Sequence, residues 1–145
     1  MALSGTYTRS LDEKQRVAVP KRLCEDFGDP KPDFLYVAPG TDKSLVLYSP
    51  AGFEILAQKI AEKSSNRVEV RNYKRLFYSR AERVDLDAQG RIRIPERLVE
   101  FAGLGREVIV AGVHDHAEIW DAAAWAAFLQ NTSAAFDEIA VQAFE

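Results

Sequence analysis

The chain states one pattern twice. Leu11 to Pro20 reads L-D-E-K-Q-R-V-A-V-P and Leu86 to Pro95 reads L-D-A-Q-G-R-I-R-I-P, so Asp, Arg and Pro recur in one register 75 positions apart. Arg22 and Leu23 return as Arg97 and Leu98, and beyond a three-residue gap Gly40, Tyr48 and Phe53 fall on Gly112, Trp120 and Trp125. Self-similarity at about half the chain length means one structural unit used twice. Two copies of one site point to a partner that itself repeats, such as duplex DNA or a symmetric ring, rather than to a small-molecule substrate.

Each copy begins with alternation that suits a half-buried strand, Gly5 to Leu11 and Ala81 to Leu86. A polar turn follows, then a second strand at Arg16 to Val19 or Arg91 to Ile94. Period two puts Val17 and Val19 on one face, and likewise Ile92 and Ile94. This predicts a hairpin in each copy. Asp favours the turn through side-chain bonds to nearby backbone, and Gly90 supplies a positive φ at little cost. Pro20 and Pro95 end the strands, so Lys21 to Phe27 and Glu96 to Ala102 read as short helices. A second strand pair follows each: Phe34 to Ala38 with Leu45 to Tyr48, and Val108 to Gly112 with Ala117 to Trp120.

Ser49-Pro50 and Asp121 read as helix starts. Phe53, Leu56 and Ile60 mark a buried stripe on the first of these helices, and Trp125, Phe128 and Leu129 on the second. Ser64 to Arg80 reads as a helical linker. Beyond Thr132 lies a short amphipathic tail, whose Phe136, Ile139 and Phe144 either dock or stay mobile. The resulting division is residues 3–63 as a first unit, 64–80 as a basic linker, 81–128 as a second unit and 129–145 as a tail.

Charge is distributed unevenly. The 145 residues carry a formal net charge of -3. From Leu98 onward, however, one base (Arg106) stands against eight acids, a net -7 that leaves +4 over residues 1–97. Arg67, Arg71, Lys74, Arg75, Arg80 and Arg83 face only Glu69 and Glu82 in their stretch. Such asymmetry marks either a polyanion-binding face or a solvated helix face.

The doubled D-x-x-x-R-(apolar)-x-(apolar)-P, its place at the head of each half, and the helix starts Y-S-P-A-G-F and W-D-A-A-A-W closely resemble the MraZ family over roughly Leu3 to Phe128. That resemblance implies an α+β fold of two tandem AbrB-like (SpoVT-type) swapped-hairpin units, β-barrel-like, with flanking helices. It also implies a DNA-binding transcriptional regulator of the division and cell-wall gene cluster, acting on repeated promoter elements and assembled into rings of more than two subunits. Carried over by position, the DNA-facing residues are Arg16 and Arg91, with Lys14 as a neighbour. One departure stands out: the first turn has Gln15 where the pattern usually has Gly.

An arginine on a rigid hairpin donates two parallel hydrogen bonds to guanine O6 and N7, or grips a phosphate. The alternative is that Arg16 and Arg91 pair with Asp12 and Asp87 across their own turns and merely hold the hairpin shape. A rival from another class is an AbrB-like protein-protein assembly or antitoxin-like module without specific DNA binding.

Other residues point elsewhere less strongly. His114 and His116 in H-D-H lack further ligands nearby in sequence and read as a surface turn, not a metal site. Cys24, the only cysteine, reads as a small buried apolar residue, excludes an intramolecular disulfide and fits a reducing compartment. Trp120 and Trp125 read as core. No nucleophile-base pair, phosphate loop or cofactor motif stands out, so neither an enzyme nor a cofactor is expected. No apolar run has membrane-spanning length and Met1 to Ser10 lacks the core of a signal peptide. The expected location is the cytoplasm, in association with the nucleoid.

Overall fold

Period-two apolar residues do form the strands, and the second strand pair of each repeat pairs as expected, but the strands on either side of each D-x-x-x-R turn do not pair with each other. The computed structural model describes residues 1–145. Its strands are β1 (Thr6–Ser10), β2 (Arg16–Ala18), β3 (Phe34–Pro39), β4 (Leu45–Tyr48), β5 (Glu82–Asp85), β6 (Arg91–Arg93), β7 (Glu107–Gly112) and β8 (Ala117–Asp121). The helices are α1 (Lys21–Asp26), α2 (Pro50–Ala61), α3 (Val68–Arg80), α4 (Glu96–Ala102), α5 (Ala122–Thr132) and α6 (Phe136–Ala143). This is an α+β fold in which every strand pairing is antiparallel.

The expected hairpins are replaced by exchange between the two repeats. Six strands form an open sheet in the order β1-β7-β8-β4-β3-β5, and β2 pairs with β6 in a separate ribbon. The first strand of each repeat therefore lines the second strand pair of one unit: β1 adds to β7 of the other repeat, and β5 to β3. A pseudo-two-fold relation follows, passing between β4 and β8 and between β2 and β6. The sheet does not close into a barrel; β1 and β5 are its edges.

Alternation assigns the layers. Leu35, Val37, Leu45, Leu47, Val108, Val110 and Ile119 all point to one face of the sheet and are essentially inaccessible. There they meet Val17 and Ile92 of the ribbon and Leu23 and Leu98 of α1 and α4 in the main core. Burying one such side chain contributes about 1.5–3 kcal/mol. On the opposite face Ala38 packs with Ile60 of α2 and Phe77 of α3, while Ile109, Ala111 and Trp120 pack with Trp125 of α5. The ribbon and the long helices thus lie on opposite sides of the sheet.

Caps define the helix starts as expected. Ser49 Oγ accepts from Gly52 N at 3.0 Å, and Asp121 Oδ2 from Ala124 N at 3.4 Å. Asp121 Oδ1 also accepts from Gly105 N at 2.9 Å, tying the α4–β7 loop to the start of α5. The linker helix begins at Val68, four residues later than expected. The stripe expected on α5 is only half buried: Trp125 stacks edge-on to Trp120 at 5.3 Å, but Phe128 and Leu129 are 38% and 41% exposed. The two indoles fill the gap between helix and sheet, and Phe128 leans on them from outside.

Candidate nucleic-acid interface

The two D-x-x-x-R turns have the same geometry down to single hydrogen bonds. Asp12 N donates to Arg16 O at 3.0 Å and Gln15 N to Asp12 O at 2.9 Å; in the second copy Asp87 N donates to Arg91 O at 3.0 Å and Gly90 N to Asp87 O at 2.9 Å. Asp12 Oδ1 accepts from Lys14 N and Arg16 N, as Asp87 Oδ1 does from Gln89 N and Arg91 N, all within 2.8–2.9 Å. These bonds explain the aspartates: a short acceptor side chain closes the turn on its own backbone. They also stabilise the ionised form. Both carboxyls are held below the usual range, first by the backbone N–H of the arginine four residues on, against some desolvation.

Gln15 and Gly90 sit at equivalent points with φ of 61° and 76°. The first turn therefore follows the same left-handed path without a glycine. The turns are also tied to each other across the pseudo-two-fold, since Val19 N donates to Gly90 O and Ile94 N to Gln15 O, each at 2.9 Å.

The bracing bonds to the aspartates are present in both copies. Arg16 Nε donates to Asp12 Oδ2 at 2.7 Å and Arg91 Nε to Asp87 Oδ2 at 2.9 Å. One nitrogen of each guanidinium is thus used to fix its direction. Both side chains remain about one-third exposed. The two terminal nitrogens of Arg16 have no partner in the chain, and on Arg91 only Nη2 has one, Gln89 Oε1 at 3.3 Å. Lys14 is exposed at the tip of the first turn.

The ribbon register brings these groups together. Arg16 lies opposite Arg93, Val17 opposite Ile92 and Ala18 opposite Arg91. Val17 and Ile92 point into the core, so Arg16, Arg91 and Arg93 share the outward face. Arg93 was missed in the motif, which stops at the matched arginines. Period-two alternation from Arg91 carried the signal. Its equivalent in the first repeat is Ala18, and the outer face is therefore uneven: two arginines face each other at one end and an arginine faces an alanine at the other.

The other polar candidates are separate from this face. His114 is exposed, with φ of 68°, but His116 is not part of a bare surface turn. Its ring stacks on Tyr48 at 5.2 Å between Asp115 Oδ1 at 2.7 Å and Glu118 Oε2 at 3.2 Å. Glu118 chiefly, then Asp115, raises its pKa above the usual histidine range despite partial burial. Trp120 Nε1 donates to the other oxygen of Glu118 at 2.9 Å. Cys24 is buried, its thiol pushed up by desolvation. No group of three or more His, Cys, Asp or Glu is placed to hold a metal ion, and no helix is long and apolar enough to cross a membrane.

An exchanged pair of repeats presenting an arginine-faced ribbon defines the class of tandem swapped-hairpin proteins. The chain belongs to the MraZ family: the family profile described as "MraZ protein, putative antitoxin-like" matches it twice, over residues 2–76 and 77–145. It is 36% identical over 137 residues to the transcriptional regulator MraZ of Syntrophomonas wolfei, covering 94% of this chain and 92% of that one. The transcriptional regulator MraZ of Alkaliphilus metalliredigens is 37% identical over 136 residues, with the same coverage. That of Paenarthrobacter aurescens is 37% identical over 134 residues, covering 92% of this chain and 91% of that one. These relatives carry the name of regulators, not of enzymes.

Proposed function

We propose that this protein is a sequence-specific duplex-DNA-binding transcriptional regulator that recognises repeated promoter elements of the division and cell-wall gene cluster. The carrying observation is the ribbon, where Arg16 and Arg91 stand on two matched turns, each aimed by its own aspartate, with Arg93 directly opposite Arg16 and Lys14 at the tip of the first turn. A two-stranded ribbon fits the major groove, where an arginine with free terminal nitrogens reads guanine. Aiming before binding reduces the side-chain ordering that binding would otherwise cost.

One ribbon offers few contacts. The reading therefore includes a homo-oligomer of more than two subunits, a ring, in which weak contacts add when element spacing matches subunit spacing. The protein acts in the cytoplasm, in association with the nucleoid. The assembly-module reading draws on the Asp–Arg pairs, which alone explain the arginines as turn braces.

Binding of a duplex from upstream of the protein's own gene, against a scrambled duplex, separates the two. The proposed function predicts preferential retention that weakens steeply with salt, with a slope near -0.9 per phosphate neutralised. No retention of either duplex at low salt supports the assembly module.

A further inference from the structure

We propose that α6 of one copy docks its apolar stripe into the groove between α2 and α3 of a second copy, an inference that rests on the oligomeric part of the function proposed above. An eight-residue helix is marginal in water by itself and takes its stability from packing an apolar face. α6 buries no residue. Yet Phe136, Ile139, Ala140, Ala143 and Phe144 recur along one side at helical spacing. Phe136 is 69% and Phe144 91% exposed, with Ile139 between them 45% exposed, so much of this stripe is left open by its own chain.

The matching feature lies on the other repeat. Between α2 and α3 runs a groove with Ile60, Val70 and Tyr73 on its floor and Lys59, Lys63 and Glu69 at its rim. Lysine stems extend an apolar floor while their charged ends stay in water. Val68, Tyr73 and Leu76 are each about half exposed, a cluster that a solvated helix face does not require.

Charge selects the occupant. Residues 50–80 carry seven bases against three acids, a net +4, whereas residues 121–145 carry four acids and no base, a net -4. Complementary fields of this kind steer two such surfaces together. A nucleic acid suits the groove less well, because its floor is apolar and α2 and α3 cover the sheet face turned away from the ribbon. The helix pairs α2–α3 and α5–α6 follow the second strand pair of their respective repeats in the same chain order, so the contact joins unlike halves. Contacts of that type run head to tail and close into a ring when the rotation allows.

Light scattering on the full chain at micromolar concentration tests this, with circular dichroism and duplex retention measured alongside. Three double variants, Phe136→Asp with Ile139→Asp, Asp137→Lys with Glu138→Lys, and Lys59→Glu with Lys63→Glu, are expected to fall to the mass of one chain with unchanged helix content. Combining the two charge reversals restores assembly. An oligomer untouched by Phe136→Asp with Ile139→Asp refutes the docking and leaves the oligomeric reading standing. A monomeric wild-type chain refutes both. Failure of the combined charge reversal to reassemble, when each reversal alone dissociates, refutes the pairing of these surfaces. An intact oligomer that loses duplex retention on Lys59→Glu with Lys63→Glu assigns the groove to nucleic acid instead.

Discussion

At the scale of single residues, the guanidinium groups of the ribbon differ in what they stand to lose. Arg16→Ala and Arg91→Ala each remove a directed donor pair and are expected to weaken duplex binding by about 1–3 kcal/mol, with melting behaviour largely kept. Arg93 faces Arg16 across the ribbon. Like charges directly opposite are unfavourable, so Arg93→Ala is expected to raise stability by a few tenths of a kcal/mol while it weakens binding. Thermal melts and duplex titration of one preparation check both signs; a neutral effect on binding removes Arg93 from the interface.

Gln15 is a second residue-scale test. Left-handed backbone costs a non-glycine residue roughly 1–2 kcal/mol, against about 0.4–1 kcal/mol for the freer unfolded chain of glycine. Gln15→Gly is therefore expected to stabilise by about 0.5 kcal/mol, with binding kept. Gly90→Ala should destabilise by a similar amount; a Cβ there meets nothing nearer than Val19 O at 4.0 Å, so the cost is one of φ alone. Denaturant melts of both variants decide the matter, and a less stable Gln15→Gly contradicts the shared turn path.

At the scale of elements, local pattern placed the strands and the β3–β4 and β7–β8 pairs, but not the partners of β1, β2, β5 and β6. Val17 and Val19, or Ile92 and Ile94, announce a buried face through alternation, and Ser49-Pro50 and Asp121 announce helix starts. Nothing local tells β1 to prefer β7 over β2. After Asp12 N bonds Arg16 O the two strands part, and Leu11 N donates to Arg106 O in the other repeat. That choice depends on burying Val17 against Ile92, a contact between halves. The turn arginines were legible for the opposite reason: their geometry is set within five residues. Arg93 needed the register.

The β7–β8 connection carries two predictions of its own. A Cβ at Gly112 would lie 2.4 Å from Ser4 N and 2.7 Å from Leu3 C. Gly112→Ala must therefore displace the Leu3–His114 bridge, with an expected loss of about 1–3 kcal/mol and faster hydrogen exchange in β1. His116 has its pKa raised, so its ion pairs stabilise the fold below the ordinary histidine pKa and that stabilisation fades as pH rises through the raised value. Asp115 and Glu118 have lowered values, so the same pairs are lost when acid protonates them. The stability difference between wild type and His116→Gln should be largest in mildly acidic solution and shrink on either side. A difference independent of pH contradicts the pairing.

At the scale of the whole molecule, the sheet separates two surfaces of different character. One side presents the arginine ribbon; the other carries α2, α3 and α5 and leaves α6 uncovered. The formal net charge of -3 hides a local basic cluster on the ribbon, where Arg16, Arg91 and Arg93 share one face. The repeat in the sequence was enough to reveal a doubled turn. It did not reveal that the two copies build one ribbon, because that requires the strands of each half to cross into the other.

If the ribbon binds DNA through its matched arginines, removing both must weaken binding without unfolding the chain. Fluorescence anisotropy with a labelled duplex from upstream of the protein's own gene, across a salt series, compares wild type with the Arg16→Ala/Arg91→Ala double variant. At about 1 kcal/mol or more per arginine, the double variant should bind roughly thirty-fold more weakly or worse at equal melting temperature. Its salt slope should be shallower if either arginine also neutralises a phosphate. Equal affinity of the two proteins at every salt concentration would contradict the account and leave Arg16 and Arg91 as braces of their own turns.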